Sequence, residues 1–380
     1  MRQKASDDEI IAALREHGSQ AKAARALGLN LRTLERRIPL LARKGYSPDH
    51  DMVHPVPDGF MAKGVSGLYR RGEPEPLLQW VMSSVDHVRQ AEMQQAVIAA
   101  LQEEVRGLWV PFKAPKVTLE NELSAYLIGD AHFGLYAWAE EAGEDFDTSI
   151  ASKDLRAAID ELVDRAPPSA TGYLVDVGDF LHADSRNNST PASGNQLDVD
   201  TRFPRVVKIA VAALRYCIGR MLQKHTRVEV FITPGNHNPN SAGWLAMVLA
   251  AYFERDKRVI IETSPGKYFY RRFGNTLIGI THGDKTKMAD LPGIMATDRA
   301  QDWGQTQHRY WWTGHIHHTR HQEFRGCFVE SFNTLAASDA WHHESGYRSS
   351  RQMQRIDIDA SQGIVGRRLC SIGMIRAKAA

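Results

Sequence analysis

The 380-residue sequence has few cysteines and no apolar run long enough to cross a membrane. Cys217, Cys327 and Cys370 are odd in number, lie far apart and form no C-x-x-C pair. This argues against both a disulfide framework and a zinc ribbon. The first residues are charged where a signal peptide would be apolar. We therefore expect a cytoplasmic protein with no membrane segment.

The sequence also lacks a large net charge, which is +2, but its charge is unevenly distributed. Residues 1–45 hold ten Lys and Arg against five Asp and Glu. Such a local excess of positive charge favours an anionic partner. The rest of the composition, 43% hydrophobic and 24% charged, is typical of a globular chain with room for two or more folded units.

Residues 1–45 carry the signals of three short helices. Ser6 and Glu9 have the spacing of a capping box, which predicts the start of the first helix. Gly18 interrupts the apolar pattern, and Gly28 with Asn30 predicts a tight turn followed by a capped third helix. The segment is therefore predicted to be a small all-α domain.

This domain resembles the helix-turn-helix DNA-binding module, particularly the short version in Fis-type bacterial regulators. The resemblance implies that the recognition helix runs from Leu31 to Arg37 and contacts phosphates and base edges. Its apolar face is expected to bury Leu31, Leu34 and Ile38. The side chains left facing outward, and expected to bind DNA, are Arg32, Thr33, Arg36 and Arg37. The alternative is a helical bundle used for packing or oligomerisation.

Residues 46–118 are predicted to be a linker followed by a long helix. From Gly45 to Glu75 the chain is rich in Pro and Gly, with a turn or hairpin expected at Gly64–Gly72. From about Pro76 to Arg106, apolar residues recur at alternating three- and four-residue spacing, which predicts one helix with a single seam. That seam packs on its own chain or pairs two chains, so the helix over 76–106 is a candidate for homo-oligomerisation.

From residue 119 onward, five strand-like runs each end in Gly beside Asp, Asn or His. Alternating strands and helices predict a mainly parallel sheet with its functional loops at the carboxyl edge. Past residue 259 the strands are joined by turns, which predicts a second sheet. Oxygen and imidazole donors at the strand ends suit divalent metals. In chain order the motifs are Asp130-Ala-His132, Gly178-Asp179, Gly235-Asn236-His237, His282-Gly283 and Gly314-His315-Ile-His317.

In this order, the motifs resemble those of the calcineurin-like metallophosphoesterases over about residues 120–330. The resemblance implies an α/β fold, with two facing β-sheets flanked by helices in a four-layer sandwich, over residues 119–380. It also implies hydrolysis by a hydroxide that two divalent ions activate. Mn²⁺ is the expected ion, with Fe or Zn²⁺ as alternatives. The implied ligands are Asp130, His132, Asp179 and His317 for one ion, and Asp179, Asn236, His282 and His315 for the other.

The same resemblance implies a catalytic role for His237, which would stabilise the transition state or protonate the leaving oxygen. The family's third motif usually continues with Asp or Glu, but this sequence has Asn238. An amide at this position can orient His237, although it stabilises an imidazolium less than a carboxylate does.

The run Asp179-Phe-Leu-His182 is similar to the second motif of SbcD-type DNA repair nucleases. That similarity implies that His182 contacts the substrate phosphate, whereas the alternative is a loop histidine bonded to a neighbour. The polar stretch that follows is expected to be an active-site loop. Arg202 and Arg205 near its end are candidates for holding a phosphate bidentately.

Together the two resemblances predict a metal-dependent phosphodiesterase, or nuclease, that its N-terminal module brings to DNA. One alternative is a phosphomonoesterase or cyclic-nucleotide phosphodiesterase whose helical domain only oligomerises it. Another is a DNA-binding regulator with a vestigial enzyme domain. The C-terminal part is also similar to metallophosphoesterase-like proteins encoded by phages and prophages.

Overall fold

The computed structural model describes residues 5–43, 60–70, 76–105, 111–339, 343, 346 and 348–379. The chain divides into two units, Met1–Ala100 and Leu101–Ala380. Within the described residues, no helix combines the length and the apolar content needed to span a membrane. The domain boundaries near residues 45 and 118 stay predictions.

Three helices of the first unit have the predicted order: α1 (Asp7–His17), α2 (Gln20–Ala26) and α3 (Leu31–Arg43). The capping box is confirmed, since the Ser6 hydroxyl accepts the backbone N–H of Glu9 at 3.2 Å and the Glu9 carboxylate accepts that of Ser6 at 2.6 Å. The carboxamide of Asn30 caps α3 by accepting the N–H of Arg32 at 3.0 Å.

One face of α3 differs from the prediction. Leu34 is fully buried and Ile38 packs against the same core, but Leu31 is 40% exposed. Leu41, one turn beyond the predicted end of the helix, is buried instead. The helix runs longer than predicted because Pro39 lies inside it without ending it. The buried core of this bundle is Ala5, Ile10, Ala13, Leu14, Ala23, Ala24, Leu34 and Leu41.

The prediction of one helix from Pro76 to Arg106 was wrong for its first ten residues. Pro76–Val85 is strand β2, which pairs antiparallel with β1 (Phe60–Tyr69), and helix α4 is His87–Val105. Short apolar runs rich in Leu, Trp and Val fit a strand as well as a helical seam, and here a partner strand supplies the hydrogen bonds. The prediction that a helix over 76–106 mediates oligomerisation is therefore wrong for residues 76–85, which form a strand.

The structure describes only part of the predicted linker from Gly45 to Glu75. Residues 44–59 and 71–75 lie outside the described part of the chain. The turn or hairpin expected at Gly64–Gly72 falls on the second half of β1 and on residues that follow it, so the hairpin begins earlier than predicted.

The second unit alternates strands and helices at first and is richer in strands later. Its elements are, in chain order, β3 (Leu119–Ile128), α5 (Ala139–Ala142), α6 (Thr148–Asp164), β4 (Ser169–Asp176), α7 (Phe203–Leu222), β5 (Arg227–Ile232), α8 (Ser241–Tyr252), β6 (Val259–Ile261), β7 (Phe269–Phe273), β8 (Thr276–Ile280), α9 (Leu291–Asp298), α10 (Ala300–Gln305), β9 (His308–Thr313), β10 (Arg320–Glu323), β11 (Phe328–Ser331), β12 (Gln352–Asp359), β13 (Gly363–Ser371) and α11 (Ile372–Ala379).

Two sheets are formed, as predicted. The first has the order β13-β12-β3-β4-β5-β6, with β3 to β6 parallel and the β12–β13 pair antiparallel at one edge. The second has the order β10-β11-β9-β8-β7, with β8, β9 and β11 parallel. The strand β11 begins only at Phe328, because the backbones of Phe324 and Cys327 hydrogen-bond each other across a tight turn before it.

The two sheets face each other across a buried apolar layer, and helices cover their outer faces. Leu127, Val175 and Trp312 belong to the layer between the sheets, which draws side chains from both. Trp311, next to Trp312, points the opposite way into the core beneath α9, as the two-residue period of a strand requires. The helices α6, α7 and α8 cover the other face of the first sheet. The four-layer α/β sandwich is therefore confirmed.

A buried histidine joins β3 to the start of β4. His225 is fully buried, with Nε2 2.8 Å from the hydroxyl of Tyr126 and Nδ1 2.8 Å from the carbonyl oxygen of Ser169. The two contacts suit a neutral ring that donates from Nδ1 and accepts at Nε2. Burial lowers the pKa of His225 to about 4.

We expect this histidine to make the free energy of unfolding depend on pH. Its folded pKa lies below the unfolded value near 6.5, so its contribution is complete above that pH and is lost as the pH falls toward 4. Urea unfolding at pH 7 and pH 5 should show a loss of about 2 kcal/mol that is absent from His225→Gln. An equal pH dependence in both proteins would contradict this assignment.

Candidate metal centre

The five motifs meet at the carboxyl ends of neighbouring strands. Asp130 and His132 follow β3, Asp179 follows β4 and Asn236 follows β5 in the first sheet, while the remaining three residues follow β8 and β9 in the second. Because the two sheets face each other, these loops share one edge of the sandwich. All seven predicted metal ligands are brought into this cluster by hydrogen-bond or ion-pair contacts.

One group of donors surrounds Asp130. Nε2 of His317 lies 3.4 Å from Oδ1 of Asp130 and 3.1 Å from Nε2 of His132. Asp130 is fully buried and His132 is nearly so. The ligand atoms of the three side chains lie within 4.8 Å of one another.

A second group of donors surrounds His282. Its Nε2 lies 3.0 Å from Oδ2 of Asp179 and 3.0 Å from Oδ1 of Asn236, and His315 completes the cluster. Nδ1 of His282 donates to the carbonyl oxygen of Val177 at 3.0 Å. That bond fixes the ring so that Nε2 is the ligand atom, as outer hydrogen bonds do for metal-binding histidines.

The two groups are joined through the backbone and through Asp130. The N–H of His315 in the second group donates to both carboxylate oxygens of Asp130, at 3.0 and 3.1 Å. The N–H of His132 donates to the carbonyl oxygen of Asp179 at 3.0 Å. The carboxylate of Asp179 itself contacts the second group, so its bridging of two ions stays a prediction.

The glycines of the motifs leave room for ligands that other motifs supply. A Cβ atom on Gly178 would lie 2.3 Å from Nδ1 of His282, and one on Gly235 would lie 1.9 Å from Oδ1 of Asp179. A Cβ on Gly314 would lie 2.5 Å from Oδ2 of Asp130. The packing of the donors therefore requires these glycines.

The backbone at the donors is strained, as it often is at functional sites. Among the described non-glycine residues, seven have positive φ, and five of these are predicted ligands. A left-handed conformation without glycine is uncommon and costs energy unless the surroundings fix it. The five are Asp130, His132, Asp179, His315 and His317, with φ between 34° and 71°.

The charges of the site are paired within it. Burial alone would lower the pKa of His282, but the carboxylates of Asp179 and Asp130 raise it to about 10. Burial would raise the pKa of Asp179, whereas His282 and the N–H of His237 hold it well below its usual range. Asp176, at the end of β4, is fully buried, and burial raises its pKa well above normal.

These features fit divalent ions at this edge. Carboxylate, carboxamide and imidazole are the donors that Mn²⁺, Fe and Zn²⁺ accept, and dry carboxylates need a cation beside them. The glycines leave room for the donors, and a hydrogen bond to the carbonyl oxygen of Val177 orients His282. Both features are typical of metal-binding sites. The ligand set Asp130, His132, Asp179, Asn236, His282, His315 and His317 is therefore suited to hold divalent metal.

His237 is oriented by a neighbour that the sequence did not indicate. Its Nδ1 lies 2.8 Å from the carbonyl oxygen of His182, and its N–H donates to Oδ1 of Asp179 at 2.8 Å. Asn238 is fully buried and accepts the N–H of Gly235 at 3.4 Å. The expectation that residue 238 orients His237 is therefore wrong, because a backbone carbonyl orients it.

His182 lies behind the site. It is 1% exposed, its Nδ1 is 3.2 Å from Nδ1 of His132, and its ring stacks on that of His237 with centroids 5.2 Å apart. It does not line the cavity over the donors. The expected contact of His182 with a substrate phosphate stays a prediction. The imidazole of His182 contacts two residues of the site, His132 and His237.

The cavity over the donors has a volume of about 640 Å³. The loop after His182 contributes polar, uncharged side chains to its lining. The loop was predicted to belong to the active site, and it does line the cavity. Its contributing side chains were not singled out from the sequence, because Ser, Thr and amides are common in any loop. They are Thr190, Ser193, Asn195 and Gln196.

Arg202 and Arg205 lie elsewhere. With Arg186 they line a different cavity of about 770 Å³, which shares no lining residue with the cavity over the donors. Arg202 directly precedes α7 and Arg205 lies in its first turn. The prediction that they share the mouth of the site was wrong.

The predicted DNA-binding face of α3 is only partly free. Arg32, Thr33 and Arg36 are exposed. Arg37 instead pairs with the carboxylate of Asp7 and donates to the carbonyl oxygen of Ala5 at 2.6 Å. Its side chain is 14% exposed, so Arg37 ties α3 to α1 rather than facing outward.

Comparison with known proteins separates the two parts of the chain. Residues 6–39 match the Fis family of bacterial regulatory proteins. No curated protein sequence matches the chain. The predicted helix-turn-helix region is therefore confirmed by a family match, over a small part of the sequence.

Solved structures similar to this chain include several phosphoesterases. A dimetal phosphatase from Danio rerio is 10% identical with a TM-score of 0.35, covering 66% of this chain and 98% of its own. A novel archaeal phosphodiesterase is 12% identical at 0.33, covering 66% and 99%. Vacuolar protein sorting 29 from Cryptosporidium parvum is 16% identical at 0.30, covering 66% and 100%. Such low scores describe a similarity and assign no function.

We expect Gly235→Ala to damage the site without unfolding the sandwich. The added Cβ would collide with the carboxylate of Asp179, which would have to move. Overpacking of this kind typically costs about 1–3 kcal/mol of stability. Elemental analysis should show less bound metal per chain, and thermal unfolding should show a moderately lower Tm.

Gly243→Ala is the matched control. A Cβ there meets nothing within 4 Å, and the residue lies inside α8. We expect normal metal content and a gain of about 0.5–1 kcal/mol, because alanine favours a helix. Normal metal content in Gly235→Ala would show that the glycine is not required by the site.

Proposed function

We propose that this chain is a two-metal phosphodiesterase that hydrolyses DNA and that its N-terminal module brings it to DNA. The observation that carries the proposal is that seven metal-type donors converge on one edge of the two-sheet sandwich. The same chain also has a Fis-type helix-turn-helix. The resemblance of the ordered motifs to calcineurin-like metallophosphoesterases, and of Asp179-Phe-Leu-His182 to SbcD-type nucleases, supports it.

In this proposal Asp130, His132 and His317 hold one ion, Asn236, His282 and His315 hold the other, and Asp179 belongs to both. When bound, the ions supply Lewis acidity toward phosphate oxygens and lower the pKa of water, and Mn²⁺ is the ion we expect. The protein contributes fixed donors in a dry setting, so little reorganisation is needed when charge develops on the phosphate.

His237 is the proposed acid toward the leaving oxygen. Its Nδ1–H donates to the carbonyl oxygen of His182, which leaves Nε2 available, and the residue lines the cavity. Its backbone N–H meanwhile holds Asp179 in place. His182 is a positioning residue, since it contacts His132 on one side and stacks on His237 on the other.

A small phosphoester is the second candidate substrate. The cavity of about 640 Å³ over the donors has the size of a site for a single small ligand. The loop side chains in its lining are uncharged, which suits a substrate that carries one phosphate. A phosphomonoesterase or a cyclic-nucleotide phosphodiesterase would fit these features.

One assay separates the candidates. The full chain is incubated with Mn²⁺ and, in parallel, with single-stranded DNA, double-stranded DNA, bis(p-nitrophenyl) phosphate and p-nitrophenyl phosphate. We expect cleavage of DNA and of the diester, both stopped by EDTA. Rapid turnover of the monoester without any DNA cleavage would sink the nuclease proposal.

Asp179→Asn supplies the site control. It keeps the shape of the side chain but removes the charge that faces His282, so we expect metal content to fall and kcat to drop at least about 100-fold. Glu140→Gln, an exposed carboxylate in α5, should behave as wild type. Unchanged metal content in Asp179→Asn would refute the site.

The DNA-binding role of α3 has its own test. In the proposal, Arg32 and Arg36 contact phosphates, so replacing both by alanine should lower the slope of log affinity against log salt by about 2 for duplex DNA. Fluorescence anisotropy in EDTA measures this. Lys22→Ala with Arg25→Ala on α2 is the matched control, because both are exposed cations of the same unit. Equal slopes in both double variants would contradict phosphate contact through α3.

A further inference from the structure

A second cavity adjoins the one over the metal donors. Its volume is about 540 Å³, and it is lined by the loop after β8, by the loop after β9 and by the start of β10. His315 and Ile316 line both cavities, so the two meet at the fifth motif. A ligand at the metal donors can therefore extend into this neighbouring cavity.

The second cavity carries the positive charge that the first one lacks. Lys285, Lys287 and Arg320 line it and are exposed. The lining of the cavity over the metal donors includes no Lys or Arg among the described residues. A phosphate next to one at the metal donors would thus find its cations in the second cavity.

Among the described residues, one carboxylate lines this basic cavity. Asp284 has a side chain that is 6% exposed, and its Oδ2 lies 3.7 Å from Nζ of Lys285 and 3.6 Å from Nζ of Lys267. Two cations therefore share it. Across the described part of the chain, Lys287 and Arg320 have no carboxylate within 4.0 Å, so their charge is available to a ligand.

The size and the apolar lining favour a single strand over a duplex. Each cavity has the volume of a site for one small ligand, so it accommodates about one or two nucleotides. Phe324, Met288 and Ile316 give the basic cavity apolar surface beside its cations. Cations that follow a backbone, together with an aromatic ring for a base, are typical of single-strand binding.

We infer that Lys285, Lys287 and Arg320 form a groove that binds the phosphates of a single nucleic acid strand next to the one that reaches the metal donors. This inference rests on the proposed phosphodiesterase function and names the substrate of that same site. The groove sets the preference for a polynucleotide over a small phosphoester. A substrate with a single phosphate uses the metal donors alone.

The test measures how strongly a single strand competes for the catalytic centre. A phosphorothioate oligonucleotide of about six nucleotides is added to the full chain while Mn²⁺-dependent hydrolysis of bis(p-nitrophenyl) phosphate is followed. The N-terminal module is the same in the wild type and in every variant of the test. A difference in the inhibition constant between them therefore reports binding in the catalytic unit.

The test variant is Lys285→Ala with Lys287→Ala and Arg320→Ala, and Arg255→Ala with Lys257→Ala is the control. The control residues are exposed and line none of the cavities described above. In the test variant we expect the ratio of the inhibition constant to the KM of the diester to rise about tenfold or more. The salt slope of inhibition should fall by about 2. The control should keep both values.

Two results would overturn the groove: no inhibition of the wild type, or equal inhibition of the wild type and the test variant. Neither depends on whether the oligonucleotide is cleaved. Hydrolysis of the diester without cleavage of an ordinary oligonucleotide would sink the nuclease proposal, while the inhibition series would still decide the groove.

Discussion

The structure depends on the burial of two carboxylates at the edge where its sheets meet. Asp130 and Asp179 are 0% and 1% exposed, and charge in such a dry place must be balanced by a nearby cation. Divalent ions suit this donor set and would supply that balance, with His282 as a neutral ligand beside Asp179. The facing sheets bring loops from two directions to the same carboxylates. Neither sheet alone carries all seven donors.

Much of this could be predicted from the sequence because the signals are local. Strand-like runs that end in Gly beside a donor indicate both the strand and the loop, and their order indicated the sandwich. The capping box at Ser6 and the cap at Asn30 are likewise set by residues two or three positions apart. Wherever a feature depends on neighbours in the chain, prediction and structure agree closely.

The failures concern contacts between distant residues. The pairing of β2 with β1 overrode a helical pattern, the carboxylate of Asp7 drew Arg37 inward, and the carbonyl of His182 replaced Asn238 as the partner of His237. Arg202 and Arg205 line a cavity that shares no lining residue with the one over the donors. The strand β10 is polar throughout, and β13 contains two glycines and two adjacent arginines, so neither has a strong signal. The basic cavity was not indicated because its three cations come from two distant segments, the loop after β8 and the start of β10.

The close approach of glycines to donors has an evolutionary consequence. Gly178, Gly235 and Gly314 each lie against a ligand from a different motif, so three of the motifs limit the size of a residue in another. A larger residue at Gly314 would be accommodated only after Asp130 had been replaced by something smaller. Substitutions in these motifs should therefore show strong epistasis, with single changes that are harmful and paired changes that compensate. The ordered motifs would be inherited as one unit or lost together.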